Sequence, residues 1–419
     1  MAPYMSRALG MPIECLADAF RPAVETDLPG ILDLRRAVAG GLWWNDEAYL
    51  RWRYFRCGVE PSAYWVFERE GEIIGACGLE PVVLVVDGQA FVSQHIGDLD
   101  HYAAFRAFTE TVQDLCRMYE VRLEDALVVH DVHPEYASTR YALELPGERL
   151  GVQHHRAHIA SVLAERAMWD TPVIGFAFDG TGYGDDGTIW GGEVFVGSLE
   201  SGFERVAHLR PAVLPGGDAA ARWPVQAAAG FLVQLLDLPD PSAPPFNFPE
   251  RYRQARELAR KGVRTFATTS VGRLFDTVAA LLGFTRGITF EGQAAIWLEH
   301  LARTAPPVQP YPFPLEGREL DFRPLLAAVI EDRLRGRDPA EIARAFHEAI
   351  ARAIEQVALQ HAEAEGIRHV VLSGGVFQNS LLLAHVKDRL GAYPELIVLV
   401  NRDVPPNDGG ISLGQAALG

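Results

Sequence analysis

Five runs of almost unbroken apolar residues constrain the fold of this chain more than any other feature. They are Ala126-Leu127-Val128-Val129, Val173-Ile174-Gly175-Phe176-Ala177-Phe178, Glu193-Val194-Phe195-Val196, Val370-Val371-Leu372 and Leu396-Ile397-Val398-Leu399-Val400. A strand with one wet face alternates apolar and polar residues, so runs without alternation belong to sheets covered on both faces. Helical stretches separate them, which predicts an α/β fold. The strongest helix opens with Asp338 as cap, Pro339 in the first turn and Glu341 closing a capping box. Its apolar stripe is Ile342, Phe346, Ile350, Ile354 and Val357, and Gly366 ends it. That helix reads as core scaffold.

Residues 19–88 read as a separate small α/β segment, with strands at 20–24, 63–68 and 72–76 and a helix opening at Thr26-Asp27-Leu28-Pro29. This portion resembles the opening half of a GNAT-type acetyltransferase. The family's acyl-CoA loop does not follow it, so no acetyl transfer is expected. Proline-rich stretches at 239–249 and 306–314 read as surface loops.

Charge and cysteine content narrow the function classes. A formal charge of −17 with no offsetting basic cluster argues against nucleic-acid binding by phosphate neutralisation. No apolar run approaches the roughly 18 residues of a membrane helix. The first residues hold one arginine and no long apolar core, which predicts no secretory leader. The four cysteines, Cys15, Cys57, Cys77 and Cys116, form no C-x-x-C pair, so neither a zinc ribbon nor a disulfide framework is expected. A reducing cytoplasm is the economical location.

Chemistry concentrates around Gln153-His154-His155-Arg156-Ala157-His158. An i,i+4 spacing puts His154 and His158 on one helix face, close enough to share a metal ion. The alternative is two histidines placed there by coincidence. A strand expected to end at Asp179 offers a third ligand, and Asp408 in Asn407-Asp408-Gly409-Gly410 a fourth. His155 reads as an outer or solvated neighbour. Asp179-Gly180-Thr181-Gly182-Tyr183-Gly184 reads as a glycine-rich turn that admits phosphates, or as an ordinary hairpin turn. Ser373-Gly374-Gly375-Val376-Phe377-Gln378-Asn379 joins a buried strand to a helix, a junction that cradles nucleotides in many α/β folds or is a plain connection. Glu291 stands at a helix start, as cap or as ligand contact. His130-Asp131-Val132-His133-Pro134 reads as an ordered turn in preference to a second metal site. Neither a G-x-S-x-G elbow nor a Walker loop is present, so no covalent enzyme nucleophile is indicated.

Taken together, these segments resemble the C-terminal carbamoyltransferase domain of the hydrogenase maturation factor HypF. The matching runs are 93–99, 130–142, 152–160, 178–193, 214–220, 272–276, 291–295, 373–379 and 407–410, in family order. The resemblance implies an actin/Hsp70-like pair of ribonuclease-H-type subdomains over 89–419, the first starting as early as residue 73, preceded by the small segment 1–88. It implies a metal ion, iron or zinc, held by His154, His158, Asp179 and Asp408, with His154, His158 and Asp179 acting in catalysis. It further implies ATP or carbamoyl-adenylate (with Mg for the nucleotide) against Gly180, Thr181, Gly182, Gly184, Glu291, Ser373, Gly374, Gly375 and Asn379. The acceptor would be the C-terminal cysteine of a HypE-like partner. Where the family's first strand turns through an acidic–lysine–asparagine–threonine run, this chain reads Ala76-Cys77-Gly78-Leu79-Glu80-Pro81, without the lysine. Competing readings are an O-carbamoyltransferase, a tRNA threonylcarbamoyltransferase relative, or a nucleotide- and metal-binding module without turnover.

Overall fold

The computed structural model describes residues 20–22, 65–69, 72–77, 82–93, 96, 99, 102–236 and 239–419. The helix expected from Thr26 and the missing-lysine turn lie outside the described residues, and with them most of the GNAT-like segment. The chain divides into two compact units: Met1–His130 with Glu135–Leu150 and Arg402–Pro405, and Asp131–Pro134 with Gly151–Asn401 and Pro406–Gly419.

In the first unit, strands β1 (Phe20–Pro22), β2 (Trp65–Arg69) and β3 (Glu72–Cys77) form an antiparallel sheet in the order β1-β2-β3. A hairpin follows, β4 (Val83–Val86) and β5 (Gln89–Val92). Its two-residue turn, Asp87-Gly88, has φ of 51° and 75°, the left-handed pair such a loop demands. Helix α1 (Tyr102–Met118), strand β6 (Leu127–Asp131), helix α2 (Ala137–Glu144) and strand β7 (Glu148–Val152) come next, and β6 pairs with β7.

The second unit begins with helix α3 (His154–Ala164) and is built on strands β8 (Val173–Tyr183), β9 (Ile189–Ser198), β10 (Gly202–Leu209), β11 (Ala212–Pro215), β12 (Thr265–Thr268), β13 (Leu315–Glu316), β14 (Glu319–Leu320), β15 (His369–Ser373) and β16 (Ile397–Val400). Its sheet runs β13-β14-β10-β9-β8-β15-β16, with β11 and β12 attached beside β9. β8, β9 and β10 are antiparallel neighbours, while β15 and β16 run parallel to β8. A three-strand meander whose first strand also receives two parallel strands is the ribonuclease-H-type core that the family resemblance implies. Helices α4 (Asp218–Arg222), α5 (Pro224–Leu232), α6 (Glu250–Lys261), α7 (Val271–Leu282), α8 (Gln293–Arg303), α9 (Phe322–Leu334), α10 (Pro339–Glu365), α11 (Ser380–Leu390) and α12 (Ile411–Leu418) complete the unit.

The apolar run of β8 is buried on both faces, as its lack of alternation requires: Val173, Ile174, Phe176, Ala177 and Phe178 are all at most 1% exposed. Helix α3 lies against β8, and Gly175 permits it, since a Cβ there would meet Ile159 at 2.8 Å. Helix α10 spans the predicted residues and its whole predicted stripe is buried. Asp338 caps it, accepting from the Ala340 amide at 2.9 Å. The capping box does not close: the Glu341 carboxylate instead accepts from Arg337 Nε at 3.0 Å, because a charged donor outcompetes a backbone amide. The proline-rich loops are not purely surface features. Phe246, Phe248, Tyr311 and Phe313 within them are buried.

Candidate metal and nucleotide site

Helix α3 carries both histidines into the site, and its first turn is tightly fixed. Gln153 caps it: its Oε1 accepts from the Arg156 amide at 3.0 Å, and its Nε2 donates to the Tyr183 carbonyl at 3.0 Å. The same Nε2 reaches His155 Nδ1 at 3.1 Å, so that nitrogen accepts and the His155 proton sits on Nε2. His155 is fully buried, which removes the solvated alternative of the two expected for it and leaves the outer neighbour. Burial, with His154 beside it, holds its pKa well below the ordinary imidazole value, so it stays neutral.

One helical turn brings the His154 and His158 ring centroids to 4.9 Å. Asp179 arrives from β8, and Asp408 from a single 3₁₀ turn, Asp408–Gly410, capped by Asn407. His154 Nε2 stands 3.3 Å from Asp179 Oδ2 and 3.5 Å from Asp408 Oδ1. His158 Nε2 stands 3.6 and 3.8 Å from the same two atoms. All four donor atoms fall within 4.8 Å of one another. His154, His158 and Asp179 are buried, whereas the Asp408 side chain is 53% exposed, so the cluster opens to solvent on one side.

Two observations test whether a cation suits this cluster. Buried nitrogens are normally hydrogen-bonded, yet His154 Nε2 and both ring nitrogens of His158 have no hydrogen-bond partner. Burial alone would strip His154 of its proton. The carboxylates of Asp408, Asp131 and Asp179 instead raise its pKa well above the ordinary value. Burial likewise opposes charge on Asp179, but the facing rings of His154 and His158 hold its pKa well below the usual carboxylate range. The field at this point favours positive charge, and two imidazoles with two carboxylates suit iron or zinc.

The strand holding Asp179 differs from expectation. It does not end there: β8 runs on through Tyr183, with an irregularity in pairing between Phe178 and Gly182, and the turn follows at 184–188. The glycines serve close approach. A Cβ on Gly182 would meet His155 Cε1 at 2.5 Å and His154 Cδ2 at 2.7 Å, and Gly184 lies against the Trp190 indole. Thr181 is exposed, and Gly180 has space around it: its Cβ position would meet only the Arg273 guanidinium and the Glu291 carboxylate, both at 3.8 Å. Asp179 is gripped from three directions. The Gly375 amide donates to its Oδ1 at 2.9 Å, Ser270 Oγ donates to its carbonyl at 3.1 Å, and Gly272 packs on that carbonyl where a side chain would collide.

The other expected nucleotide contacts are placed variously. Gly374, with φ of 103°, packs on the Phe178 backbone. Ser373 is buried and donates to Asn401 Oδ1 at 2.8 Å. Asn379 caps α11 through the Leu382 amide at 2.9 Å and meets His347 Nε2 at 2.9 Å. Glu291 is exposed and does not cap α8, whose cap position is Gly292 without a side-chain bond.

Sequence reasoning missed three participants. Asp131, read as a turn residue, accepts from His154 Nδ1 at 2.9 Å. Arg273, buried on α7, pairs with Asp276 at 3.1 Å. Burial outweighs that guanidinium and lifts the Asp276 pKa to about 6. Gln153 sets the helix start. None lies at a spacing from the histidines that periodicity could reveal, although Gln153 immediately before a helix was a readable cap.

Because Gly182 touches the histidine rings, Gly182→Ala is expected to weaken metal affinity more than nucleotide affinity. Metal and ATP titrations of one protein preparation compare the two, and a loss confined to ATP would return Gly182 to a phosphate-facing role.

The chain matches two consecutive family models, the HypF Kae1-like domain over residues 73–165 and the carbamoyltransferase, Kae1-like domain, second subdomain, over 175–415. Carbamoyltransferase HypF of Synechocystis sp. is 37% identical over 359 residues, covering 80% of this chain and 45% of that protein. Carbamoyltransferase HypF homolog of Cupriavidus necator is 37% identical over 76% of this chain and 84% of that protein. Full-length HypF, solved in its phosphate- and nucleotide-bound form, has a TM-score of 0.72 at 36% identity, covering 86% of this chain and 54% of that one. The T. kodakarensis HypF structure gives 0.73 at 32%, covering 81% and 46%. The chain thus spans about half the length of the longer relatives it matches.

Proposed function

This chain belongs to the HypF family of carbamoyltransferases, within their Kae1-like domain, and on that premise we propose that it transfers a carbamoyl group from carbamoyl-adenylate to the C-terminal cysteine of a HypE-like acceptor. The observation that carries this reading is the convergence of His154, His158, Asp179 and Asp408 at one cation-favouring point beside the open space at Gly180. A reaction on a free cysteine belongs in a reducing cytoplasm.

The acceptor thiolate attacks the carbamoyl carbon, and the C–S bond forms as the C–O bond to the adenylate phosphate breaks. AMP departs with the electron pair. The residues described at this site bind and orient. His154, His158, Asp179 and Asp408 would hold an iron or zinc ion, which would supply Lewis-acid polarisation of the carbamoyl or phosphate oxygen. Asp179 is kept ionised by the facing histidine rings and kept in place by Gly375 and Ser270. Arg273 sets a buried positive charge beside Gly180, where it offsets the charge of the nucleotide phosphate, and Glu291 borders the same space.

Chemically supplied carbamoyl-adenylate, metal-loaded protein and a HypE-like acceptor test the reading by mass spectrometry. A carbamoyl adduct on the acceptor's terminal cysteine is expected. Binding of ATP by calorimetry with no adduct formed would replace this function with that of a non-catalytic nucleotide module.

Metal affinity should climb with pH. In the metal-free protein the raised His154 pKa stabilises the fold fully below the unfolded value near 6.5, and that contribution disappears as pH rises through the folded value. The ion must displace this proton, so it binds best where the proton is already lost. The increment in Tm between metal-free and metal-loaded protein is therefore expected to grow from pH 6.5 to pH 9. A constant increment would exclude His154 as a ligand.

A further inference from the structure

The two histidines of the cluster are chemically unequal. His154 Nδ1 lies 2.9 Å from Asp131 Oδ2, and both side chains are buried, at 0% and 4% exposed. The corresponding Nδ1 of His158 is equally buried and has no hydrogen-bond partner. Asp131 is itself aimed, because its Oδ1 accepts from the His133 amide at 2.8 Å, two residues along the same turn. Pro134 follows, fixing the chain direction beyond the turn. The paired oxygens thus have separate tasks: one closes the turn, the other faces the histidine.

A carboxylate can only accept from an imidazole nitrogen, so this contact puts the His154 proton on Nδ1. With Nδ1 protonated, displacement of the second proton by the ion leaves the Nε2 lone pair directed at the point between Asp179 and Asp408, in the tautomer that coordinates. An anionic acceptor behind the ring also pushes electron density towards Nε2 and strengthens it as a donor. His158 has no such support at its Nδ1.

We propose that Asp131 is a positioning residue for the metal: it fixes the tautomer and orientation of His154 and makes His154 the stronger of the two histidine donors. The inference rests on the metal reading of His154, His158, Asp179 and Asp408 and deepens it.

Substitutions separate charge from shape. Asp131→Asn keeps an oxygen able to accept from Nδ1–H but removes the charge; Asp131→Ala removes both. Zinc titration by calorimetry, and the visible absorption of the cobalt-substituted protein, read the site without reference to activity. Loss of about 10–100-fold in zinc affinity is expected for Asp131→Ala, with Asp131→Asn intermediate and a shifted cobalt spectrum in both. Circular dichroism matching the parent protein shows that the variants fold; should Asp131→Ala fail to fold, Asp131→Asn alone decides. Parent-like affinity and spectrum in Asp131→Asn would overturn the positioning role. Absence of zinc and cobalt binding in the parent protein would instead overturn the metal site itself.

Discussion

Replacing His158 by alanine is expected to empty the proposed metal site and abolish the proposed carbamoyl transfer, the largest single effect expected. His158 is buried, and its Nε2 faces both carboxylates at under 4 Å. Removing a direct ligand costs more than the roughly 10–100-fold typical of outer partners, so metal content should fall to background at micromolar ion. The loss has two parts that can be separated. Truncating a buried ring also leaves a cavity, which lowers stability without touching chemistry. His158→Gln fills most of that volume with a poorer ligand. Metal analysis after gel filtration of the parent, His158→Ala and His158→Gln proteins should therefore give one full and two depleted samples, while thermal unfolding separates only the alanine variant. Equal metal in parent and His158→Ala protein would remove this site assignment.

How far the sequence discloses this site follows from the distance over which each part is determined. His154 and His158 are readable because helical periodicity alone makes them neighbours. Asp408 is readable as a carboxylate in a turn before a helix, a position set by local pattern, whereas Asp179 is readable as a carboxylate following a buried apolar run but not as a strand end. Asp131 is not: it stands 23 residues from His154, and only the tertiary path brings its carboxylate behind the ring. Glycine proved the most ambiguous letter. Gly180, Gly182 and Gly184 predicted a turn, phosphate-admitting or ordinary, after a strand ending at Asp179, but a missing side chain serves close packing as well as tight turning. In the fold the strand continues, and Gly182 gives its space to the histidine rings. Glu341 teaches a similar lesson about competition. Its position satisfied the capping-box pattern, and a neighbouring arginine took its carboxylate. The alternation-free apolar runs were legible for the opposite reason, because burial on both faces is written into every residue of the strand.

Gly414→Ala is expected to destabilise the second unit despite placing alanine in a helix. Helix α12 packs on α3, the helix of His154 and His158. At Gly414 a Cβ would fall within the van der Waals envelope of the Ala157 carbonyl oxygen and 2.8 Å from the Ser161 amide nitrogen. Both obstacles are backbone, so no side-chain rotation relieves them. In an exposed helix this change would gain about 1 kcal/mol of propensity. Here overpacking costs roughly 1–3 kcal/mol, and occasionally more, with contact against main chain at the upper end. The cost wins, and a net loss of about 2 kcal/mol corresponds to a fall in Tm of roughly 4–8 °C for a unit near 250 residues. α3 is held between this contact on one side and Ile159 against Gly175 on the other, so relief requires α3 or α12 to move. Movement of α3 carries His154 and His158 away from Asp179, whose strand is fixed by Gly375 and Ser270. Scanning calorimetry together with zinc titration should accordingly show both a lower Tm and weaker metal binding in Gly414→Ala. A lower Tm with unchanged zinc affinity would mean that α12 yields alone and that α3 is held by the sheet.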